Sequence, residues 1–149
     1  MNKTLIVLLL AVIVLAWNFV FTDREVGLTD QAKVLQGLST ALSYKTAIGK
    51  YWTEKKSLPD SVAWQNYQAG ISVDLSRTIV GAIEVGVDGP GVISVHYEAR
   101  PGLDSPAAID GRKINLAPTV NGDRLEWVCQ GTIEVGLLPK NCRPLQSPP

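Results

Sequence analysis

The chain has no excess of charge of either sign, because its 14 basic and 14 acidic residues cancel over 149 residues. A neutral balance provides no electrostatic footprint for nucleic acid and no general attraction to anionic lipid surfaces. The chain also has one histidine, His96, and only two cysteines, Cys129 and Cys142. The composition therefore argues against nucleic acid as a partner and leaves few side chains for metal binding or redox chemistry.

The motifs of common catalytic and cofactor chemistry are absent as well. No Gly-x-Ser-x-Gly motif occurs, and the glycines of residues 88–91 lack the spacing of a phosphate-binding loop. Asp104, Asp110 and Asp123 have no metal-ligand spacing, and His96 is expected to be a solvated strand residue. The sequence therefore predicts no catalytic residue, no cofactor and no metal site, and we expect a protein that is not an enzyme.

Residues 5–21, in contrast, form a long apolar run without a charged residue. As a helix the run would span about 26 Å at about 1.5 Å per residue, which is near the short end for a membrane crossing. Lys3 precedes the run and favours a cytoplasmic N-terminus. The pattern predicts a single-pass membrane protein with an exported C-terminal domain.

Two interpretations of this run compete. A cleavable secretory signal needs small residues at two defined positions before its cleavage site, and residues 16–22 offer no clear small-x-small pair. Trp17, Phe19 and Phe21 instead resemble the aromatic belt at a membrane interface. We expect residues 1–22 to be a retained transmembrane anchor, with a cleaved signal as the alternative.

A long amphipathic helix is predicted over residues 31–55, where apolar residues recur in steps of three, four and seven. The residues assigned to this face are Val34, Leu35, Leu38, Ala41, Leu42, Ile48, Tyr51 and Trp52. Thr29 or Asp30 can cap the start of the helix, and Pro59 ends it. We expect the apolar face to pack against the domain and residues 61–76 to be irregular.

Four strands are predicted from period-two alternation and turn signals. They are residues 79–87, 92–98, 113–118 and 124–130. The Asn121-Gly122 dipeptide indicates a hairpin between the last two. Because the strands are consecutive and joined by turns, we expect a four-stranded antiparallel sheet with the helix on one face, an α+β fold.

The two cysteines are expected to form a disulfide, because the predicted export places them in an oxidising compartment. Cys129 and Cys142 are too far apart in the sequence for a CxxC redox pair, and a single histidine does not complete a zinc site. A crosslink that closes a loop of this length would stabilise the fold by roughly 3 kcal/mol.

A tryptophan lies two residues before the first cysteine, and a Leu-Pro-x-x-Cys-Arg motif closes the loop. The residues concerned are Trp127, Cys129, Leu138, Pro139, Cys142 and Arg143. These residues resemble the end of the head domain of the type IV pilins. Residues 41–52, 91–95 and 113–119 resemble the second half of the pilin helix and pilin strands, so the resemblance extends over roughly residues 38–143.

The resemblance implies a long N-terminal helix, transmembrane in its first half and amphipathic in its second, packed on a four-stranded antiparallel sheet with a C-terminal disulfide loop. It implies residues 1–22 as anchor, residues 23–143 as pilin-like head and residues 144–149 as a disordered tail. The implied function is a structural or minor component of a type IV pilus-like fibre, active in adhesion or attachment. The implied partners are the membrane, pilin subunits (including further copies of this chain) and pilus assembly proteins. The implied location is the inner membrane, crossed once with the C-terminal domain in the periplasm, or a cell-surface pilus.

The N-terminal residues differ from those of that family. A pilin precursor has a short basic leader that ends in glycine, and its apolar helix contains a glutamate that finds a partner during assembly. Here no glycine precedes residues 5–21, and no acidic residue interrupts them. This difference keeps an alternative open: a membrane-anchored, pilin-like accessory protein that contacts pilins or the assembly machinery without entering the fibre.

Overall fold

Helices and one sheet form two layers in the computed structural model, which describes residues 30–67 and 70–144. Helix α1 covers residues 30–40 and is followed by two further helices and five strands. The helices are α2 Leu42–Lys55 and α3 Ser61–Tyr67; the strands are β1 Val80–Val85, β2 Ile93–Tyr97, β3 Lys113–Asn121, β4 Arg124–Gly131 and β5 Cys142–Pro144. The order along the chain is that of an α+β fold.

The predicted anchor, residues 1–22, lies outside the described residues, as do residues 145–149 of the expected tail. Pro144, with which that tail was expected to begin, is the last residue of β5. Among the residues that are described, no helix is both long and apolar enough to cross a membrane.

The long helix predicted over residues 31–55 is confirmed with one interruption, at Ala41. There the Ala41 N–H donates to the carbonyl of Leu38, three residues earlier, at 3.1 Å. The hydroxyls of Ser39, Thr40 and Ser43 also donate to carbonyls three residues earlier. Hydroxyls that bond to the helix backbone compete with its regular hydrogen bonds, which explains an irregular turn at this point.

The core lies between one helix face and the inner face of the sheet. Its helix side is formed by Val34, Ala41 and Ile48, which are fully buried. Leu35 and Leu42, predicted to share this face, are 49% and 58% exposed, so that part of the prediction is wrong. Each follows a core residue by one position, and one residue turns the chain by about 100° around a helix axis.

Tyr97 of β2 fixes the distance between α1 and the sheet. Its hydroxyl donates to the Val34 carbonyl at 2.8 Å, and burial raises the pKa of that hydroxyl, which keeps it protonated. The ring lies directly over Gly37, where a Cβ would be 2.6 Å from a ring carbon. A glycine is therefore required at this position for the helix to approach so closely.

The sheet has the order β1-β2-β3-β4-β5, and its first four strands are antiparallel as predicted. The fifth strand, which runs parallel to β4, was not predicted. A bulge between Val80 and Ala82 shifts the alternation of β1, so that Val80 before the bulge and Ile83 and Val85 after it all pack in or against the core. Val87, predicted to be in the first strand, lies beyond the end of β1 and is exposed.

Residues 61–67 are helical, which corrects the prediction of an irregular segment over residues 61–76. The Asp60 carboxylate accepts the Ala63 N–H at 2.7 Å and caps α3. An aspartate directly before the first helical residue is a strong N-cap. Helix α3 has only seven residues, too few for a periodic apolar pattern to be recognised.

The predicted hairpin is confirmed: Asn121 and Arg124 are the last pair between β3 and β4, and Gly122 and Asp123 form the turn. β3 is longer than predicted because pairing with β4 continues past Pro118. The pairing of β2 with β3 stops at Leu116. Beyond Leu116, β3 pairs only with β4 in the described structure. A proline, which has no N–H to donate, is tolerated there because no second strand needs that hydrogen bond.

We predict opposite effects of alanine at two helical glycines. Gly37→Ala should lower the free energy of unfolding by about 1–3 kcal/mol, because the added methyl group overlaps the Tyr97 ring. Gly49→Ala should raise it by about 0.5–1 kcal/mol, because no atom lies near the new methyl group and alanine is the better helix former. Urea unfolding followed by tryptophan fluorescence measures both. Equal effects of the two substitutions would contradict the Tyr97–Gly37 contact.

Candidate functional site

The two cysteines lie opposite each other on neighbouring strands. Cys129 of β4 and Cys142 of β5 are paired in the parallel register, their Cα atoms are 4.4 Å apart, and their sulfurs are bonded. The predicted disulfide is therefore confirmed. Since β5 has only three residues, the crosslink holds at the sheet edge a strand that is too short to be stable alone.

The loop closed by the disulfide has its own apolar interior. The side chain of Leu138 is almost fully buried and lies against Gly131, where a Cβ would be 2.9 Å from it. Ile133 is buried beside the same core. The N–H groups of Leu137 and Leu138 both donate to the Glu134 carbonyl, which forms one helical turn. The loop is thus a packed unit whose shape depends on Leu138.

Two further motif residues, Pro139 and Arg143, lie at the end of the loop. The Pro139 carbonyl accepts the Cys142 N–H at 2.8 Å and turns the chain into β5. Arg143 lies in β5 and pairs with Gln130 of β4. The structure brings together only three of the four motif residues other than the cysteines. Leu138, Pro139 and Arg143 belong to the loop and its exit, whereas Trp127 lies earlier in β4, before the loop begins.

Trp127 connects the sheet to helix α2. It is partly buried against the core, and the Lys45 ammonium lies 5.0 Å from the centre of its ring. A cation–π contact at a partly exposed position contributes about 0.5–1 kcal/mol. Trp127 therefore joins β4 to α2.

An uncharged row of exposed side chains runs along the helices, about 100° around the helix axis from the core residues. Its exposed members repeat in steps of three and four along α1 and α2, and none carries a charge. They are Ala32, Leu35, Ser39, Leu42 and Thr46; we call them the outer helix face. This surface was not predicted, because Leu35 and Leu42 were both expected in the core. The spacing of its residues is nevertheless typical of helices that pack against another helix.

A groove of about 490 Å³ lies beside this face, at the side of α2. Its lining combines three hydroxyl groups, two opposite charges and two apolar side chains: Ser43, Thr46, Ala47, Lys50, Glu54, Tyr67 and Ile71. The Lys50 and Glu54 charges face each other at 3.9 Å, and the Ser43 and Thr46 hydroxyls donate to helix carbonyls. The polar groups thus largely satisfy one another.

The outer face of the sheet carries a polar cluster centred on Asp88, in the turn between β1 and β2. One carboxylate oxygen accepts hydrogen bonds from Lys113 at 2.6 Å, Ser94 at 2.7 Å and Asn115 at 3.2 Å. The Lys113 and Ser94 hydrogen bonds lower the pKa of Asp88 below its ordinary value. The cluster fixes the turn over strands β2 and β3.

No group of side chains in the described residues has the arrangement of a metal site. His96 lies on the outer face of the sheet, as predicted, and contacts the Glu84 carboxylate at 3.1 Å. This pair lies on the same face of the sheet as the Asp88 cluster.

We predict that Asp88→Asn lowers the free energy of unfolding by about 1–3 kcal/mol at neutral pH, because charge-assisted hydrogen bonds are lost. A carboxyl group whose pKa is lowered on folding contributes stability above its unfolded pKa of about 3.9 and loses it as the pH falls through the folded value. The difference from the wild type should therefore narrow below about pH 4. Asp123→Asn, at an exposed turn residue, is the matched control. If the free energies of unfolding of the wild type and Asp88→Asn differed by the same amount at every pH, the ionised Asp88 carboxylate would not be the source of this stability.

We predict that replacing Cys129 and Cys142 together by alanine lowers the free energy of unfolding by about 3 kcal/mol, because the crosslink restricts the unfolded chain. Hydrogen exchange should accelerate first in β5 and in residues 132–141, which depend on the bond for their place at the sheet edge. The control is the wild type treated with a reductant, which should behave like the variant. Unchanged protection of β5 in both samples would show that the strand is held by other contacts.

A family model described as Pilin (bacterial filament) matches residues 31–143 of the chain. Of the described residues, the matched range contains every helical residue except Asp30, the antiparallel strands and both cysteines. No curated protein matches the chain significantly.

Proposed function

The chain belongs to the pilin family, and we propose that it is a structural or minor component of a type IV pilus-like fibre, with a role in adhesion or attachment. The observation that carries this proposal is the family match over residues 31–143. A subunit-like role in a bacterial filament and a location at the cell surface or in a pilus are general to this family. It is a family of structural proteins, which is why we propose no enzymatic activity.

The outer helix face supports a role in assembly. Leu35 and Leu42 lie one heptad apart and are both about half exposed, and apolar residues in such a row are typical of helices that pack against another helix. Burying a leucine side chain stabilises an interface by about 1.5–3 kcal/mol. We propose that this face meets a helix of a neighbouring pilin subunit.

Residues 5–21 would anchor the chain in the inner membrane before assembly, with residues 23–143 as the exported head and residues beyond Pro144 as a free tail. The anchor would then precede the head in the sequence, and the loop that contains Leu138, Pro139 and Arg143 would lie near the head's C-terminal end. Its exposed Val135 side chain offers a contact for other subunits or for a surface, which is the role we propose for the loop.

A second function is favoured by one observation in the sequence. No acidic residue occurs in residues 5–21, and the family's fibre subunits use such a residue during assembly. The alternative is an accessory protein that stays in the membrane and contacts pilins or the assembly machinery through the same head.

The two functions differ in where the protein is found after cells are sheared. We predict that the wild type is recovered in the filament fraction and that Leu42→Asp lowers this recovery about tenfold or more, because a buried, unpaired carboxylate costs several kcal/mol. Val62→Asp is the matched control, because Val62 is 64% exposed on α3 and outside the outer helix face. Immunoblots of filaments and membranes from the same cells provide the measurement.

Both variants should keep the unfolding midpoint of the wild type, since exposed substitutions usually change stability by less than about 0.5 kcal/mol. Recovery of the full-length wild type only in membranes would favour the accessory function. Equal losses of filament recovery for Leu42→Asp and Val62→Asp would show that the outer helix face has no specific role in assembly.

A further inference from the structure

We propose that Asn121 and Gly122, at the tip of the β3–β4 hairpin, form a self-modifying site. In this site the side-chain amide of Asn121 is converted without an enzyme to a carboxylate, as aspartate or isoaspartate. The modification is independent of the proposed function, because it follows from the local geometry and the chemistry of an asparagine followed by glycine.

The reaction requires an accessible backbone nitrogen after the asparagine, and Gly122 provides one. Asn121 and Gly122 are both exposed. Among residues 30–67 and 70–144, no backbone carbonyl accepts the Gly122 N–H in a turn or loop hydrogen bond. Apart from its two chain neighbours, no heavy atom lies within 4 Å of the position that a Cβ of Gly122 would take, and its φ of 59° is one that glycine adopts without strain. The space beside Gly122 is therefore open.

The other asparagines of the described region each lack one of these conditions. Asn66 lies inside helix α3, where the backbone is held in a helical ladder. Asn115 lies in the middle of β3, and the residue after it, Leu116, is buried and paired on both sides, with Ile93 of β2 and Cys129 of β4. Asn141 precedes Cys142, whose N–H is engaged with the Pro139 carbonyl at 2.8 Å. The chain thus contains its own unreactive controls.

The chemistry is balanced with water as the only co-reactant. The Gly122 nitrogen loses its proton to solvent base and attacks Cγ of Asn121, a C–N bond forms, the Cγ–Nδ2 bond breaks, and ammonia leaves. The resulting five-membered imide then adds water at one of its two carbonyl carbons. Opening at Cγ produces aspartate, and opening at the main-chain carbonyl carbon produces isoaspartate, in which the backbone runs through the former side chain.

Either product changes the end of the hairpin. Asn121 Nδ2 donates to the Glu126 carboxylate at 2.8 Å, and the product replaces this donor with a second negative charge beside Glu126. Like charges on neighbouring strands are destabilising, although Arg124, which pairs directly with residue 121, offers a partial counter-charge. Isoaspartate in addition lengthens the backbone at the last pair of the ladder. The effect should stay within the part of the ribbon beyond Leu116, where β3 no longer pairs with β2.

The test is incubation of the purified full-length chain in water enriched in heavy oxygen at mildly alkaline pH, followed by peptide mass spectrometry. We predict that heavy oxygen enters residue 121 at a rate at least about tenfold above that at Asn115 and Asn141, a difference of about 1.4 kcal/mol in barrier. An isoaspartate-specific methyl-transfer assay should label the same peptide. Incorporation that is absent at residue 121, or equal at residues 121 and 141, would overturn the proposal.

Two variants add further tests of the mechanism. Asn121→Asp should incorporate heavy oxygen at this position far more slowly than the wild type, because its carboxylate is a poorer electrophile than the amide. Gly122→Ala should abolish the labelling, because the methyl group hinders the attack; unchanged labelling would exclude a Gly122-dependent imide. The comparison among asparagines of the wild-type chain needs neither variant, so that a misfolded hairpin in Gly122→Ala does not affect it.

Discussion

The contact between the Tyr97 ring and the backbone of Gly37 determines how the helices lie on the sheet. It brings α1 so close that the Tyr97 hydroxyl reaches the Val34 carbonyl across the layer. Once Val34 is directed inward, the heptad that follows it places Ala41 and Ile48 in the core as well. The residues one step further round the helix are then directed outward. The exposed outer helix face is thus a geometric consequence of the buried contact.

A separate constraint acts at the other end of the sheet. The Cys129–Cys142 bond adds β5 to an edge where hydrogen bonding over three residues would hold little by itself. The two constraints meet through Trp127, which is two residues from Cys129 and contacts Lys45 of α2. Loss of the bond should therefore loosen the loop while leaving the helix layer on the sheet, because Tyr97 contacts α1 directly.

The long helix, the four antiparallel strands and the hairpin could be predicted from sequence, because each has a local signal, and the disulfide could be predicted from the expected export. Helix α3 was missed because it is too short for a periodic pattern. Which face of the long helix is buried could not be predicted in the same way. Val34 and Leu35 are equally apolar, and only the tertiary contact of Tyr97 with Gly37 decides which of them is buried. Strand β5 was missed because its pairing depends on a covalent bond rather than on alternation. The Asp88 cluster joins residues distant in sequence, so no local pattern indicates it.

The charges of the helices limit what the outer helix face can bind. Lys33 contacts Asp104 at 2.5 Å in the β2–β3 connection, and Lys45 lies over Trp127, so two of the helix cations already have partners within the head. The outer helix face itself contains no charged residue. Association through this face would depend on apolar area and close packing, and salt, which screens exposed ion pairs, would have little to act on. An uncharged helix is therefore a better partner for Leu35 and Leu42 than an acidic surface, which agrees with assembly from copies or close relatives of the same chain.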